Sequence, residues 1–482
     1  MGRRKDKKRQ GRKKLLNKDI YKVSAVFALI FLALCIYIIY FVVVKSGTVI
    51  NNSYNKRSAV LSETTLRGSI ISADGEVLAY TETDSDGNEE RVYPYGSIFA
   101  HVVGFTDNGG LGLESSYNYY LLTSHSGLFS QIYNEFLGEK VSGDNIITTL
   151  DTELQTYVYN ALGDNEGAVI VMDPETGDIL AMVSAPTFDP NTISQDWDEI
   201  SADEDSSVLY NRATQSALTP GSTFKIFTLL EYYRENNGDV SSYSFECSGS
   251  ITYDSNTLSC SDKKQHGSVD AVSSFAYSCN SSFANIGLSL NLDEFRENNE
   301  ALLFNSELPL DISYSKSSFT LDSSSSSFMV MQTAIGQGET TMTPIHLALI
   351  TCAIANDGIL MTPRLVSEIQ TSAGRTVKTF AVSEYSRLLT SDEASFLKEA
   401  MRMVVTDGTA SVLNTSSYTA YGKTGTADTS SLEDSNYTHS WFTGFAESDG
   451  ETVVVCVMIE NSEEAGITGK DIAKKVFDFY FE

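Results

Sequence analysis

Val23 to Val44 is an uncharged run of 22 residues in a chain of 482. At about 1.5 Å per helical residue, such a run reaches across a hydrocarbon core of about 30 Å. One end of the chain is therefore committed to lipid. A cleaved secretory leader would have an apolar stretch of about 7–15 residues and a small-residue cleavage site. Val43-Val44-Lys45-Ser46 offers no such site. The run reads as an uncleaved anchor over residues 23–44. Eleven of the first 22 residues are Lys or Arg. The positive-inside rule then makes residues 1–22 a cytoplasmic tail and puts everything from Lys45 onward outside.

Residues 1–22 carry +9, so with −29 overall the rest of the chain stands at −38. A body that acidic repels phosphate backbones, which excludes nucleic acid as a partner. With 41% hydrophobic and 20% charged residues, it is a globular composition, not a disordered one. Six cysteines are too few for a disulfide framework. Cys35 lies in the anchor, and Cys352 and Cys456 lie in apolar runs. Cys247 and Cys260 bracket a polar loop, where they either pair or stay as thiols. Neither C-x-x-C nor H-E-x-x-H occurs, so no zinc site and no cofactor is expected.

Beyond the anchor, Asp74-Gly75 between two apolar runs predicts a β-hairpin. Residues 81–91 and 122–145 are polar and turn-rich, leaving room for a small spacer domain over residues 45–145. Gly167–Asp173 and Asp178–Ser184 flank a Pro174-Glu175-Thr176-Gly177 turn, which predicts a buried antiparallel pair. Helices are expected after Pro220-Gly221, after Thr343-Pro344, from Thr390 to about Val405 behind a capping box, and at the C-terminal end. Thr452–Ile459 reads as a central strand. Strands at both ends with helices between point to one sheet, covered by helices and drawn from distant parts of the chain. Ser323–Ser327 reads as a solvated loop.

A Ser and a Lys three apart on a helix face the same way, so the amine can take the hydroxyl proton. The pattern occurs five times, at Ser53/Lys56, Ser222/Lys225, Ser261/Lys264, Ser313/Lys316 and Ser395/Lys398. Only Ser222 opens an apolar helix directly after a tight Pro-Gly entry. There the unpaired N–H groups and positive dipole end favour an oxyanion. Burial against Phe224 and Phe227 would lower the pKa of Lys225. Ser278-Cys279-Asn280 supplies a hydroxyl for proton relay and an amide for a substrate carbonyl. Lys423-Thr424-Gly425-Thr426 supplies a cation and hydroxyls suited to a carboxylate, with Gly425 admitting a substrate backbone.

S-x-x-K, S-x-N and K-T-G in this order resemble the signature of penicillin-binding proteins and class A β-lactamases. From Arg67 onward the chain is similar to class B penicillin-binding proteins, the peptidoglycan D,D-transpeptidases, and most closely to the short penicillin-binding protein A type. Arg67-Gly68, Gly112-Leu113-Glu114, Asn211-Arg212-Ala213, His266-Gly267, Gly336-Gln337-Gly338 and Trp441-Phe442 also match its patterns. Cys279 inside the triplet is usual for that branch, and its thiol reads as packing.

The resemblance implies an α/β (α+β) transpeptidase fold over residues 146–482. An antiparallel sheet would be sandwiched by helices beside an all-helical lobe, behind a small β-rich pedestal at 45–145. It implies Ser222 as nucleophile, Lys225 as base, and Ser278, Asn280 and Lys423 as further catalytic residues. Thr424, Gly425 and Thr426 would bind substrate, and the N–H groups of Ser222 and Thr426 would form the oxyanion hole. Neither metal nor cofactor is implied. The partners would be peptidoglycan stem peptides, β-lactams as covalent inhibitors, the bacterial plasma membrane and a multispanning glycosyltransferase. Two other functions share the motifs. A β-lactam hydrolase would need a deacylating base, for which Glu300 in Glu300-Ala-Leu-Leu-Phe-Asn305 is a near-match. A non-catalytic scaffold predicts a decayed motif, and none is decayed.

Overall fold

The computed structural model describes residues 2–41, 57–127, 132, 136–203, 206–428 and 438–482. The chain divides into two compact units, Met1–Val60 and Leu61–Glu482. In the first, a helix runs over Gly2–Tyr40. Its segment Ile20–Tyr40 has a mean hydropathy of 2.7 and is long and apolar enough to cross a membrane. Phe27, Leu29, Phe31 and Ile36 are all exposed on it, apolar on every side as lipid contact requires. The last three residues of the expected span, 42–44, lie outside the described residues.

The second unit is built on two sheets. Five long antiparallel strands form the first, in the order Thr419–Asp428, Thr438–Ser448, Glu451–Ile459, Gly167–Met172, Ile179–Ala185. Gly167–Met172 is buried along its whole length, because helices cover both faces. Adjacent residues of a strand point to opposite faces. Thr443 hydrogen-bonds Thr351 on the helix Pro344–Ala355 at 2.6 Å. Its neighbour Phe442 meets Phe477 on the helix Gly469–Phe481. The sheet is therefore sandwiched.

The anticipated helices are present with the caps that the sequence announces. Thr343 caps Pro344–Ala355, with Pro344 in the first turn. Thr390 and Glu393 form a capping box on Ser391–Thr406. Ser326, within the serine run, caps Ser327–Ala334, so the run ends by starting a helix.

Lys225–Glu235, Ala271–Ala276, Asn280–Ser289, Leu292–Ala301 and Ser327–Ala334 make up a helical lobe. The lobe is not wholly helical. Phe245–Cys247 pairs with Gly267–Val269, and Ser250–Tyr253 with Asn256–Ser259. Their short β-branched and polar runs satisfy backbone groups locally, below the length at which hydrophobic periodicity is readable.

The second sheet holds the β-rich segment expected over residues 45–145, but it also takes in strands from beyond that boundary. Its six strands run in the order Thr376–Thr379, Val366–Gln370, Asn145–Thr148, Ile70–Ile71, Val77–Thr83, Glu89–Val92. The Asp74-Gly75 hairpin is there, with Gly75 at φ +91°. Strands from the N-terminal hundred residues thus share a sheet with residues 366–379. Beside it, Glu114 is fully buried and bonded by Arg67 Nε at 2.6 Å and Arg91 Nε at 2.8 Å.

Candidate active site

Pro220 and Gly221 turn the chain into a single 3₁₀ turn, Gly221–Phe224, which runs on as the helix Lys225–Glu235. Gly221 takes φ +55°, and a Cβ there would lie 2.3 Å from the Thr426 carbonyl oxygen. Only glycine lets this turn lie against the edge strand Thr419–Asp428. Gly425 on that strand answers it, since a Cβ there would meet Pro220 O at 2.9 Å and Thr223 N at 3.1 Å. The Gly221 N–H donates to Gly336 O at 2.8 Å. Ser222 is half-buried at this junction of sheet and lobe.

Four side chains link up from there. Lys225 Nζ lies 3.0 Å from Ser222 Oγ and 3.2 Å from Ser278 Oγ. Lys423 Nζ lies 3.0 Å from the same Ser278 Oγ. Lys225 also donates to Ser278 O at 2.8 Å and to Asn280 Oδ1 at 2.7 Å. Ser278 holds φ +56°, a conformation that costs a non-glycine residue on the order of 1–3 kcal/mol. It presents both its hydroxyl and its carbonyl to one amine.

Both lysines are fully buried. Burial pushes the Lys225 amine down to about 7. It pushes Lys423 well below the usual lysine value, with the charge of Lys225 adding to the effect. Phe283 stands 5.4 Å from Lys225 Nζ and Phe275 stands 5.5 Å from Lys423 Nζ. Among the described residues neither amine has a carboxylate within ion-pair distance.

Ser222, Lys225, Ser278, Asn280, Lys423, Thr424, Gly425 and Thr426 fall on one junction, though not all reach the relay, while Glu300 lies apart from it. Ser222, Lys225, Ser278, Asn280 and Lys423 are joined directly. Thr424 Oγ1 instead meets Thr409 Oγ1 at 2.6 Å, and Thr426 is exposed. Sequence reasoning missed Thr409, Phe275 and Phe283. The two rings flank the Ser278 triplet at helical spacing, which was a readable signal; Thr409 gave none.

A Ser–Lys–Ser–Lys relay whose central amine is pushed by burial toward its neutral form suits acyl transfer through a serine ester. The penicillin binding protein transpeptidase domain family matches residues 167–478. The chain belongs to that family. The penicillin binding protein A dimerisation domain family matches residues 67–146. The chain is 28% identical to the peptidoglycan D,D-transpeptidase PbpA of Mycolicibacterium smegmatis, over 84% of this chain and 86% of that one. It is 26% identical to the peptidoglycan D,D-transpeptidase MrdA of Acinetobacter baumannii, over 81% of this chain and 66% of that one. The penicillin G acyl-enzyme of penicillin-binding protein A from M. tuberculosis superposes with a TM-score of 0.78 at 27% identity, covering 87% of this chain and 100% of that one.

Proposed function

We propose that this penicillin-binding protein is a membrane-anchored peptidoglycan D,D-transpeptidase, working through an ester on Ser222. Ser222 Oγ attacks the penultimate carbonyl of a D-Ala–D-Ala stem peptide while Lys225 takes its proton. The N–H groups of Ser222 and Thr426 stabilise the oxyanion. The C–N bond breaks, and D-Ala leaves with a proton passed through Ser278. Lys423 shapes the field around that hydroxyl, Asn280 holds the peptide amide, and Thr424 and Thr426 hold the terminal carboxylate beside Gly425. An amine of a neighbouring strand then attacks the ester, forming the cross-link and freeing Ser222. A β-lactam enters as a substrate mimic and stays as the ester.

In this reading residues 1–22 are the cytoplasmic tail, 23–44 the anchor, 45–145 the pedestal and 146–482 the transpeptidase domain outside the bacterial plasma membrane. A multispanning glycosyltransferase supplies the glycan and docks on anchor and pedestal. The observation that carries the reading is the unbroken path Ser222 Oγ, Lys225 Nζ, Ser278 Oγ, Lys423 Nζ, with steps of 3.0, 3.2 and 3.0 Å.

Intact-mass analysis after benzylpenicillin tests it. Wild type gains one penicilloyl adduct that persists for many minutes, and Ser222→Ala gains none. A persistent adduct on Ser222→Ala moves the nucleophile elsewhere. Continuous turnover of a chromogenic cephalosporin, abolished by Glu300→Gln, makes the chain a β-lactam hydrolase. Glu300 is exposed on the helix Leu292–Ala301, and among the described residues no side-chain bond joins it to the relay.

A further inference from the structure

Thr424 and Thr426 share one face of the edge strand Thr419–Asp428, and Lys423 lies on the other. Their register partners on Thr438–Ser448 are Phe442 and Ser440. The helix Gly469–Phe481 covers that face, and its first residue presses on the same pair. Gly469 N–H donates to Ser440 Oγ at 3.0 Å, and a Cβ on Gly469 would stand 3.0 Å from Phe442 N. Lys470 follows in the first turn of the helix. Its Nζ donates to Thr409 O at 3.1 Å. Thr409 therefore joins two groups: its main-chain oxygen takes Lys470, and its hydroxyl meets Thr424 Oγ1 at 2.6 Å.

The fold itself gains little from a lysine at this position. Among the described residues no carboxylate lies within ion-pair distance of Lys470. A cation in the first turn also opposes the helix macrodipole, which favours acids at that end. The acid of that turn, Asp471, is taken up by the Thr468 N–H at 3.0 Å and by the Thr468 hydroxyl. Thr409 O uses one of the three N–H donors of the Lys470 ammonium.

A carboxylate brought to Thr424 and Thr426, by contrast, needs a positive charge. The chain beyond residue 22 stands at −38 and repels an anion. Burial drives Lys225 and Lys423 toward the neutral amine, so neither is a dependable counter-charge. Lys470 is only half-buried.

We propose that Lys470 is a specificity residue, recognising the substrate carboxylate that sits one carbon beyond the nitrogen of the bond Ser222 breaks. That carboxylate is the C-terminus of a stem peptide and, equally, the ring carboxylate of a penicillin. The inference rests on the transpeptidase reading above. The ammonium supplies the charge, and Thr409 holds it beside Thr424. Lys470 stands away from the atoms that make and break bonds, so it acts on capture of the substrate and not on the acyl-transfer step.

The test compares acylation of the full chain, in detergent, by benzylpenicillin and by its neutral methyl ester, read by intact mass over a range of concentrations. Wild type should prefer the free acid, and added salt should narrow that preference. Lys470→Met should slow the free acid about tenfold, the worth of one hydrogen bond to a charged group, and leave the ester unchanged. The loss should fall on the concentration for half-maximal rate and not on the maximal rate. Lys470→Arg should keep most of the preference. Equal slowing of acid and ester in Lys470→Met makes Lys470 a structural residue and overturns the proposal. So does a variant unchanged toward both, or a wild type that shows no preference for the acid. Each of these leaves Ser222 labelling in place, so the transpeptidase reading survives them. A wild type that takes up no penicilloyl group sinks that reading, and this proposal with it.

Discussion

Glu114 lies fully buried between Arg67 and Arg91, whereas Lys225 and Lys423 lie equally buried among neutral hydroxyls, amides and rings. Burial alone would raise the Glu114 pKa, yet the two guanidinium charges hold it below the usual glutamate value. With no acid to answer them, the lysines respond to the same burial by falling toward the neutral amine. A compensated cluster keeps its charges and ties segments together. An uncompensated one gives up charge and gains a base that works near neutral pH. On the mechanism proposed above, the difference separates a structural clasp from a reaction centre within one compact unit.

The largest effect that sharpens this contrast is at the base. Lys225→Met should slow β-lactam acylation by about 10²–10⁴-fold while shifting the melting temperature by only a few degrees, because no charged partner is left behind. Stopped acylation followed by intact mass, alongside calorimetry, measures both. If Lys225→Met melts as low as a clasp variant, the distinction collapses.

The clasp variant is Glu114→Gln, which leaves two buried guanidinium groups facing a neutral amide. Breaking a buried pair this way costs about 3–5 kcal/mol, so denaturant midpoints should drop sharply while each folded molecule still acylates at the wild-type rate. The sign with pH follows from the lowered folded pKa. The contribution of Glu114 is fully present above the ordinary glutamate range and is lost as pH falls below it. A shallower acid limb in Glu114→Gln than in wild type would confirm that assignment. A slower acylation rate per folded molecule would show the clasp and the centre to be coupled.

A smaller effect is expected at Gly336, whose φ is +77° and whose Cβ would stand 1.9 Å from the Gly221 carbonyl oxygen. Gly336→Ala should displace the Ser222 turn and slow acylation more than it lowers stability. Glu300→Gln should change neither, since that carboxylate is exposed and outside both clusters.

Much of this was legible in advance where chemistry and local structure coincide. Pro220-Gly221 announces the entry that places Ser222, and the Thr390 and Thr343 caps announce their helices. The three motifs name the four side chains of the relay and the Asn280 that is bonded to it. What stayed hidden depends on contacts between segments far apart in sequence. Ile70–Ile71 is two residues long, and its pairing with Asn145–Thr148, parallel and 76 residues away, leaves no periodic trace. The same holds for Thr409 against Thr424, and for the buried thiols of Cys247, Cys260 and Cys279, which meet from separate segments. Burial of Lys225 was foreseen from Phe224 and Phe227, but the ring beside its amine is Phe283, and the burial of Lys423 beside Phe275 was not foreseen.

The central claim is that Lys225 acts as a neutral base because burial has lowered its pKa to about 7. The direct measurement is the second-order rate of benzylpenicillin acylation from pH 5 to pH 10, read by intact mass on the full chain. The amine must be unprotonated to take the Ser222 proton, so the rate should rise with pH through about 7 and level off above it. The rise should vanish in Lys225→Met. A wild-type rate that is flat across that range, or that climbs only near the ordinary lysine value of about 10.4, would contradict the account.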